Sequence, residues 1–266
     1  MSAANDQNEF EHLSNTRRVL ALFALIVAGE SIFFLPFVLP RVFRPTILEV
    51  FGLTNTELGW AFYWYGIVAM AAYALGGPLA DYFGPRKLLA TALVTTSLGG
   101  ILLWRSPSLA TLKMLYAYWG FTTIALFWAA LIRATRPWGE QLHQGAAFGL
   151  LDGGRGLLTA VVGTLVVALY AALLPHHVET ASLEVRTRAL QQVIFILAGI
   201  TFLAAILIWL LLPKQTASKS SDAHGWTFAG SQKILKMPTV WLQAIIIICA
   251  YVGFKATDDF SLYAKE

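Results

Sequence analysis

The chain is 266 residues long, 57% hydrophobic and 13% charged, with a formal charge of +4 at pH 7 and a mean hydropathy of +0.63. An apolar share this far above the roughly 45–50% of soluble domains excludes a water-soluble globule. Lys and Arg fall in short clusters between apolar runs instead of forming a stripe, which excludes a nucleic-acid face, and a single cysteine, Cys249, excludes a disulfide framework or a paired-thiol metal site.

Residues 1–18 read as a polar tail carrying Glu9, Glu11, Arg17 and Arg18, without the short apolar core and cleavage site of a secretory signal. Beyond it, apolar runs recur at the length of about 17 residues or more that a helix needs to cross some 30 Å of hydrocarbon. They predict transmembrane helices over 19–40, 58–80, 87–104, 110–132, 146–174 and 193–212, and the start of another over 239–254. Placing the tail in the cytoplasm puts Arg17, Arg18, Arg86, Lys87, Arg133, Arg136, Lys214, Lys219, Lys233 and Lys236 inside. Arg41, Arg44, Arg105, Arg186 and Arg188 then fall outside, so the basic bias supports this orientation. Residues 213–237, rich in Ser and Lys and with Gly225 and Gly230, read as a linker between two bundles.

Ionisable groups inside the apolar runs are functional candidates, since a charge at the bilayer centre costs about 2.5–3.5 kcal/mol on insertion scales. Glu30 lies roughly 11 residues into the first run, near the midplane at about 1.5 Å per residue. It is a candidate proton carrier or, alternatively, a carboxylate with a structural partner inside the bundle. In the fifth run Asp152 and Arg155 are three apart and share a helix face. The Arg155 guanidinium offers a planar fork for carboxylate, sulfonate or phosphate oxygens, with Asp152 holding it until a solute arrives. A self-contained salt bridge is the competing reading. Gly149, Gly153, Gly154 and Gly156 give the same helix a strip for close approach of a neighbour. They do not form a phosphate-cradling loop, because no strand precedes them and no Gly-Lys-Ser/Thr follows.

Lys113, near the outer end of the fourth run, is placed to snorkel. Lys255, Asp258 and Asp259 close the seventh run. His176, His177, Glu179 and Glu184 are too loosely spaced to define a metal site, and no cofactor is expected. Phe33, Phe34, Trp64 and Trp128 are able to flank a solute, though nothing in the sequence selects among them.

Between the second and third runs the chain reads GPLADYFGPRK over 77–87. This resembles the signature G-x-L-x-D-R-x-G-R-R-K of the major facilitator superfamily. Gly77, Leu79, Asp81, Gly84, Arg86 and Lys87 match, while Tyr82 and Pro85 replace two basic positions. Physically, Gly84 permits a sharp reversal between antiparallel helices, and Asp81 and Arg86 put opposite charges on the turn. Residues 51–59 resemble the family's approach to its second helix, 144–149 the start of the fifth and 235–241 the run into the seventh. The proline-centred glycine motif of the family's drug antiporters is absent from the fifth run, and Tyr116 stands before Gly120 where an arginine is common.

The resemblance implies an all-α polytopic bundle: a cytoplasmic tail over 1–18, a six-helix amino-terminal half over 19–212, a cytoplasmic central loop over 213–237 and the seventh helix opening a second half over 238–266. It implies an integral, multi-pass protein of a bacterial cytoplasmic (inner) membrane that carries out secondary active transport by alternating access. The expected solute is a small polar anion: a sugar acid, sugar phosphate or sulfonate, or an organic acid, with a plain sugar also considered. Proton coupling through Glu30 is part of that expectation. Asp81 inherits the role of holding the two halves together on the cytoplasmic side in the outward-facing state. Counted from Gln144 and Gly145, Arg155 occupies the position of a substrate-contacting histidine in the organophosphate and phosphate antiporters, so Arg155, Asp152 and Glu30 form the candidate substrate site. The partners implied are the solute, the lipid bilayer and a carboxy-terminal half. Family members usually have twelve spans, so 266 residues are expected not to suffice for transport alone. The competing classes are a non-transporting receptor or assembly partner and a lipid-active membrane enzyme recruiting Glu140, His143 and Asp152; an enzyme is not expected, because no paired-His or His-Asp spacing supports one.

Overall fold

The computed structural model describes residues 14–175, 182–214 and 237–255, without the side chains of 139–142, 254 and 255. His176, His177, Glu179, Asp258, Asp259, tail residues 1–13 and nearly all of the 213–237 loop lie outside the described residues. The chain forms two compact units, Met1–Ser218 and Lys219–Glu266. The second contributes the apolar helix Pro238–Lys255.

The first unit is all-α among the described residues and contains six helical spans, Asn15–Val42, Asn55–Phe83, Pro85–Trp104, Leu109–Trp138, Gln144–Leu173 and Leu183–Leu211. Four of these spans are capped at their starts by short polar side chains that accept from otherwise unpaired backbone N–H groups. Ser14 accepts from Arg17 N, Ser108 from Thr111 N and Ser182 from Val185 N. Thr54 and Glu57 form a reciprocal capping box at the second span. The sixth helix starts ten residues before the expected 193, because Ser182 caps it and its first turns project beyond the apolar core. The fourth helix runs past 132 to Leu142, with Ala134, Thr135 and Trp138 buried against the bundle. A short helix, Arg44–Phe51, fills the connection between the first two spans and stops at Gly52, whose φ of 62° suits glycine.

Proline and threonine shape the two most buried spans. Pro36 cannot donate, and the first span widens into a π-helical segment, Phe34–Val38, where Val38 N reaches back to Phe33 O at 3.1 Å. Four residues after Pro36 stands Pro40, also without an N–H, and the buried Tyr116 hydroxyl donates instead to the Pro36 carbonyl at 3.1 Å. In the fourth span a second π-helical segment, Thr122–Trp128, begins where Thr123 donates to Trp119 O at 2.7 Å.

Packing relies on glycine at close helix crossings. A Cβ on Gly120 would stand 2.5 Å from the Tyr65 carbonyl oxygen, so only glycine lets the second and fourth spans approach this closely. The buried interfaces are cross-linked by hydroxyls, with Tyr65 and Thr123 hydroxyls 2.7 Å apart and Thr96 and Thr122 hydroxyls 2.8 Å apart. Trp119 Nε1 donates to Thr96 O at 3.1 Å and the Thr201 hydroxyl to Ser31 O at 2.9 Å. In hydrocarbon such groups have no water to fall back on. The glycine strip of the fifth span behaves otherwise than expected. Gly154 meets Ile26 of the first span, where a Cβ would come within 2.8 Å, whereas positions 149, 153 and 156 face open space.

Candidate functional site

Three of the sequence candidates converge. Arg155 of the fifth span donates from Nη1 to Asp152 Oδ1 at 2.9 Å, and its Nε lies 3.4 Å from Glu30 Oε2 of the first span. The Glu30 and Arg155 side chains are 11% and 16% exposed, while Asp152 is 67% exposed, so one carboxylate is a buried fixture and the other an accessible partner. Gly29 makes room for the contact: a Cβ there would stand 3.0 Å from Arg155 Cδ. The Thr159 hydroxyl, one turn beyond Arg155, donates to the Arg155 carbonyl at 3.0 Å.

Aromatic rings complete the setting. The guanidinium carbon sits 5.7 Å from the Phe33 ring centre and 5.6 Å from that of Trp128, and the two rings are 6.3 Å apart. These distances are those of cation–π attraction, which strengthens away from water. Phe33 continues to Phe37 at 6.0 Å, and Phe37 stacks on Phe62 of the second span at 5.8 Å. Phe33, Phe37 and Arg41 are partly exposed, whereas every residue from Phe34 to Pro36 and from Val38 to Pro40 is buried. The first span therefore uncovers a narrow strip that leads from the Glu30 and Arg155 pair past two phenyl rings to Arg41.

The sequence placed all three charged residues in one candidate substrate site but paired only Asp152 directly with Arg155. Contact between the first and fifth spans is a tertiary fact that helical spacing does not carry. Of the four aromatic residues that sequence left undifferentiated, the structure puts Phe33 and Trp128 on the guanidinium. Thr159 was not singled out; its place one turn from Arg155 on the same face was the available signal.

The 77–87 turn is built as a brace. Gly84 takes φ 76°, where a side chain would be strained. Asp81 is paired with Arg133 of the fourth helix at 3.4 Å, and the same Nη1 donates to Ala80 O at 2.7 Å. Arg86 turns to the sixth span, donating to Leu212 O at 3.4 Å and lying 4.6 Å from the Trp209 ring centre. Leu79 is half-buried against both core clusters, Gly77 has open space at its Cβ position, and Lys87 is exposed. At the other end of the bundle Arg186 grips Glu49 at 2.7 and 2.9 Å, and Arg44 Nε donates to Asn55 at 2.8 Å, tying the short helix to the sixth and second spans. Lys113 lies 5.8 Å from the Trp60 ring centre. Among the described residues no three His, Cys, Asp or Glu side chains gather in a way that would hold a metal ion.

Comparison with known proteins extends the pattern beyond one turn. The sequence profile of the Major Facilitator Superfamily matches residues 16–263. The Inner membrane protein YqcE of Escherichia coli is 24% identical over 253 residues, covering 94% of this chain and 57% of that protein. The Inner membrane protein YihN of the same organism is 26% identical over 262 residues, 94% of this chain and 58% of that protein. The Puromycin resistance protein pur8 of Streptomyces alboniger is 26% identical over 145 residues, 53% of this chain and 29% of that protein. The chain thus spans a little over half the length of the first two relatives. No solved structure gives a significant match.

Proposed function

The chain belongs to the Major Facilitator Superfamily, an integral multi-pass membrane protein of a transporter family, and from that premise we propose that it supplies the amino-terminal bundle and anion site of a secondary active transporter. The transporter works by alternating access in a bacterial inner membrane, the location in the names of the two Escherichia coli relatives. A second half completes it, beginning with helix Pro238–Lys255 after the central loop. The solute is a small organic anion whose acidic group binds Arg155, as the resemblance of the fifth helix to phosphate and organophosphate antiporters suggests.

The observation that carries this reading is the unequal pairing of Arg155. Its Nε stands in ion-pair contact with buried Glu30 at 3.4 Å, short of a hydrogen bond, whereas Nη1 donates to exposed Asp152 at 2.9 Å. An incoming carboxylate, sulfonate or phosphate that displaces Asp152 gains the outer fork of a guanidinium already positioned by two aromatic rings and a buried carboxylate. Glu30, buried with one oxygen beside the guanidinium, is the group to take the coupling proton. Asp81, braced by Arg133 beside the second span's end, is the group to engage the second half on the cytoplasmic side.

Solute counterflow in proteoliposomes that hold this bundle joined to a second half, with a panel of sugar acids, sugar phosphates, sulfonates and organic acids, tests the reading. Arg155→Gln loses the fork and is expected to lower uptake at least 100-fold, about 2.7 kcal/mol in transition-state terms. Arg155→Lys keeps the charge but not the planar fork and falls in between. Undiminished uptake by both variants, at normal membrane insertion, removes Arg155 from the site.

A further inference from the structure

The side chains around Arg155 are unequal in another respect, namely what they offer to the remainder of a solute. The first, second, fourth and fifth spans supply the guanidinium and its aromatic neighbours. Across residues 19–41, 58–80, 110–132 and 146–174 the only Asn, Gln, Asp or Glu side chains are Glu30 and Asp152. Both are on Arg155. Three nearby hydroxyls are engaged, Thr159 with the Arg155 carbonyl at 3.0 Å, Tyr65 with Thr123 at 2.7 Å and Tyr116 with the Pro36 carbonyl at 3.1 Å, and the Ser31 hydroxyl, which has no partner, is fully buried away from a solute. A polyhydroxylated body needs a hydrogen-bond partner for each buried hydroxyl, most readily an amide or carboxylate, and a buried polar group left without one costs about 1–3 kcal/mol. What the bundle presents beside the guanidinium is a run of half-buried rings, Phe33, Trp128, Phe37 and Phe62, linked at 6.3, 6.0 and 5.8 Å.

Resting on the anion-site reading above, we propose that the solute is an organic acid with an apolar ring body, its acidic group on Arg155 and its ring against Phe33, Phe37, Phe62 and Trp128. A sugar acid or sugar phosphate is the poorer match for this wall, because its hydroxyls find no amide or carboxylate on these four spans beyond the two already on Arg155. An aromatic or alicyclic acid loses nothing there and gains ring contact.

Isothermal titration of the purified chain in lipid nanodiscs, with probe pairs of matched charge, separates the two. Benzoate is set against gluconate, and phenyl phosphate against glucose 6-phosphate. The ring member of each pair is expected to bind at least tenfold more tightly. Phe37→Asn, which adds an amide to the wall, narrows both ratios below about threefold, and Phe37→Leu, which preserves apolar bulk if the amide disturbs folding, leaves the preference for the ring member in place. Equal affinities within both pairs, a preference for the hydroxylated members, or no binding by any of the four probes overturns the proposal. Arg155→Gln separates its failure from failure of the anion site. If ring preference persists but Arg155→Gln binds benzoate as well as the unaltered chain does, the anion site falls and the aromatic wall stands. If Arg155→Gln abolishes binding while the unaltered chain prefers gluconate, the anion site stands and the ring-body assignment falls.

Discussion

The first and fifth spans have nearly equal hydropathy, yet 72% of the first span's apolar stretch is buried inside the bundle and 11% of the fifth's. The fourth span goes with the first, at 61%, and the second with the fifth, at 28%. In water such a difference would be written into composition, because an exposed helix needs a polar face. In a bilayer the exposed face is solvated by acyl chains as apolar as leucine, so composition marks depth and not neighbours. What distinguishes the buried pair is polar and steric detail: Tyr116 on the Pro36 carbonyl, Thr123 on Tyr65, and a glycine at the Tyr65 crossing. The reactive cluster sits where the two kinds of helix meet, with Glu30 on a buried span and Arg155 on an open one.

That contrast is tested most severely at Gly120. Its Cβ position is 2.5 Å from a backbone oxygen, which cannot swing away as a side-chain tip does. Gly120→Ala is expected to destabilise by about 1–3 kcal/mol through separation of the second and fourth spans, read as a lowered thermal or SDS unfolding midpoint in nanodiscs. An unchanged midpoint would mean that the crossing is looser than drawn. Tyr116→Phe should come next. It deletes the donor to a carbonyl whose usual partner position is occupied by Pro40, and a loss of about 1 kcal/mol is expected from an unsatisfied buried acceptor in a membrane bundle. A neutral Tyr116→Phe would show that the π-helical segment satisfies Pro36 by itself.

The sequence carried some of this arrangement and withheld the rest for identifiable reasons. Six apolar runs and their order were legible because spanning length is a one-dimensional property. The fourth helix was cut short at 132, since Arg133 and Arg136 read as the end of a span, and the amphipathic continuation that buries Ala134 and Trp138 shows only against neighbours. The Asp152 and Arg155 pair was legible from its spacing of three. Glu30 was legible as an ion in the wrong solvent, but its pairing with Arg155 depends on which faces of the first and fifth helices meet at Gly29. The charges of the 77–87 turn were legible too. Their partners were not, because Asp81 reaches Arg133 and Arg86 reaches Leu212, far along the chain.

The smallest expected effect gives the finest test, since it compares two adjacent glycines in one helix. Gly154 faces Ile26 of the first span, with Cδ1 and Cγ2 at 2.8 and 2.9 Å from a would-be Cβ, while Gly153 has nothing within 4 Å. Gly154→Ala trades a clash with a branched but movable side chain against improved helix propensity, and a net loss below about 1 kcal/mol is expected. Gly153→Ala meets no clash and reduces backbone freedom in the unfolded chain, so it should be neutral or stabilising by up to about 1 kcal/mol. The same pair, measured in a homologue with twelve spans, extends the test. Should Gly153→Ala be harmless in this chain yet costly there, the open face of the fifth span is the surface a second half covers. Should it be costly in this chain alone, that face is already occupied, and the division into buried and open spans is misdrawn.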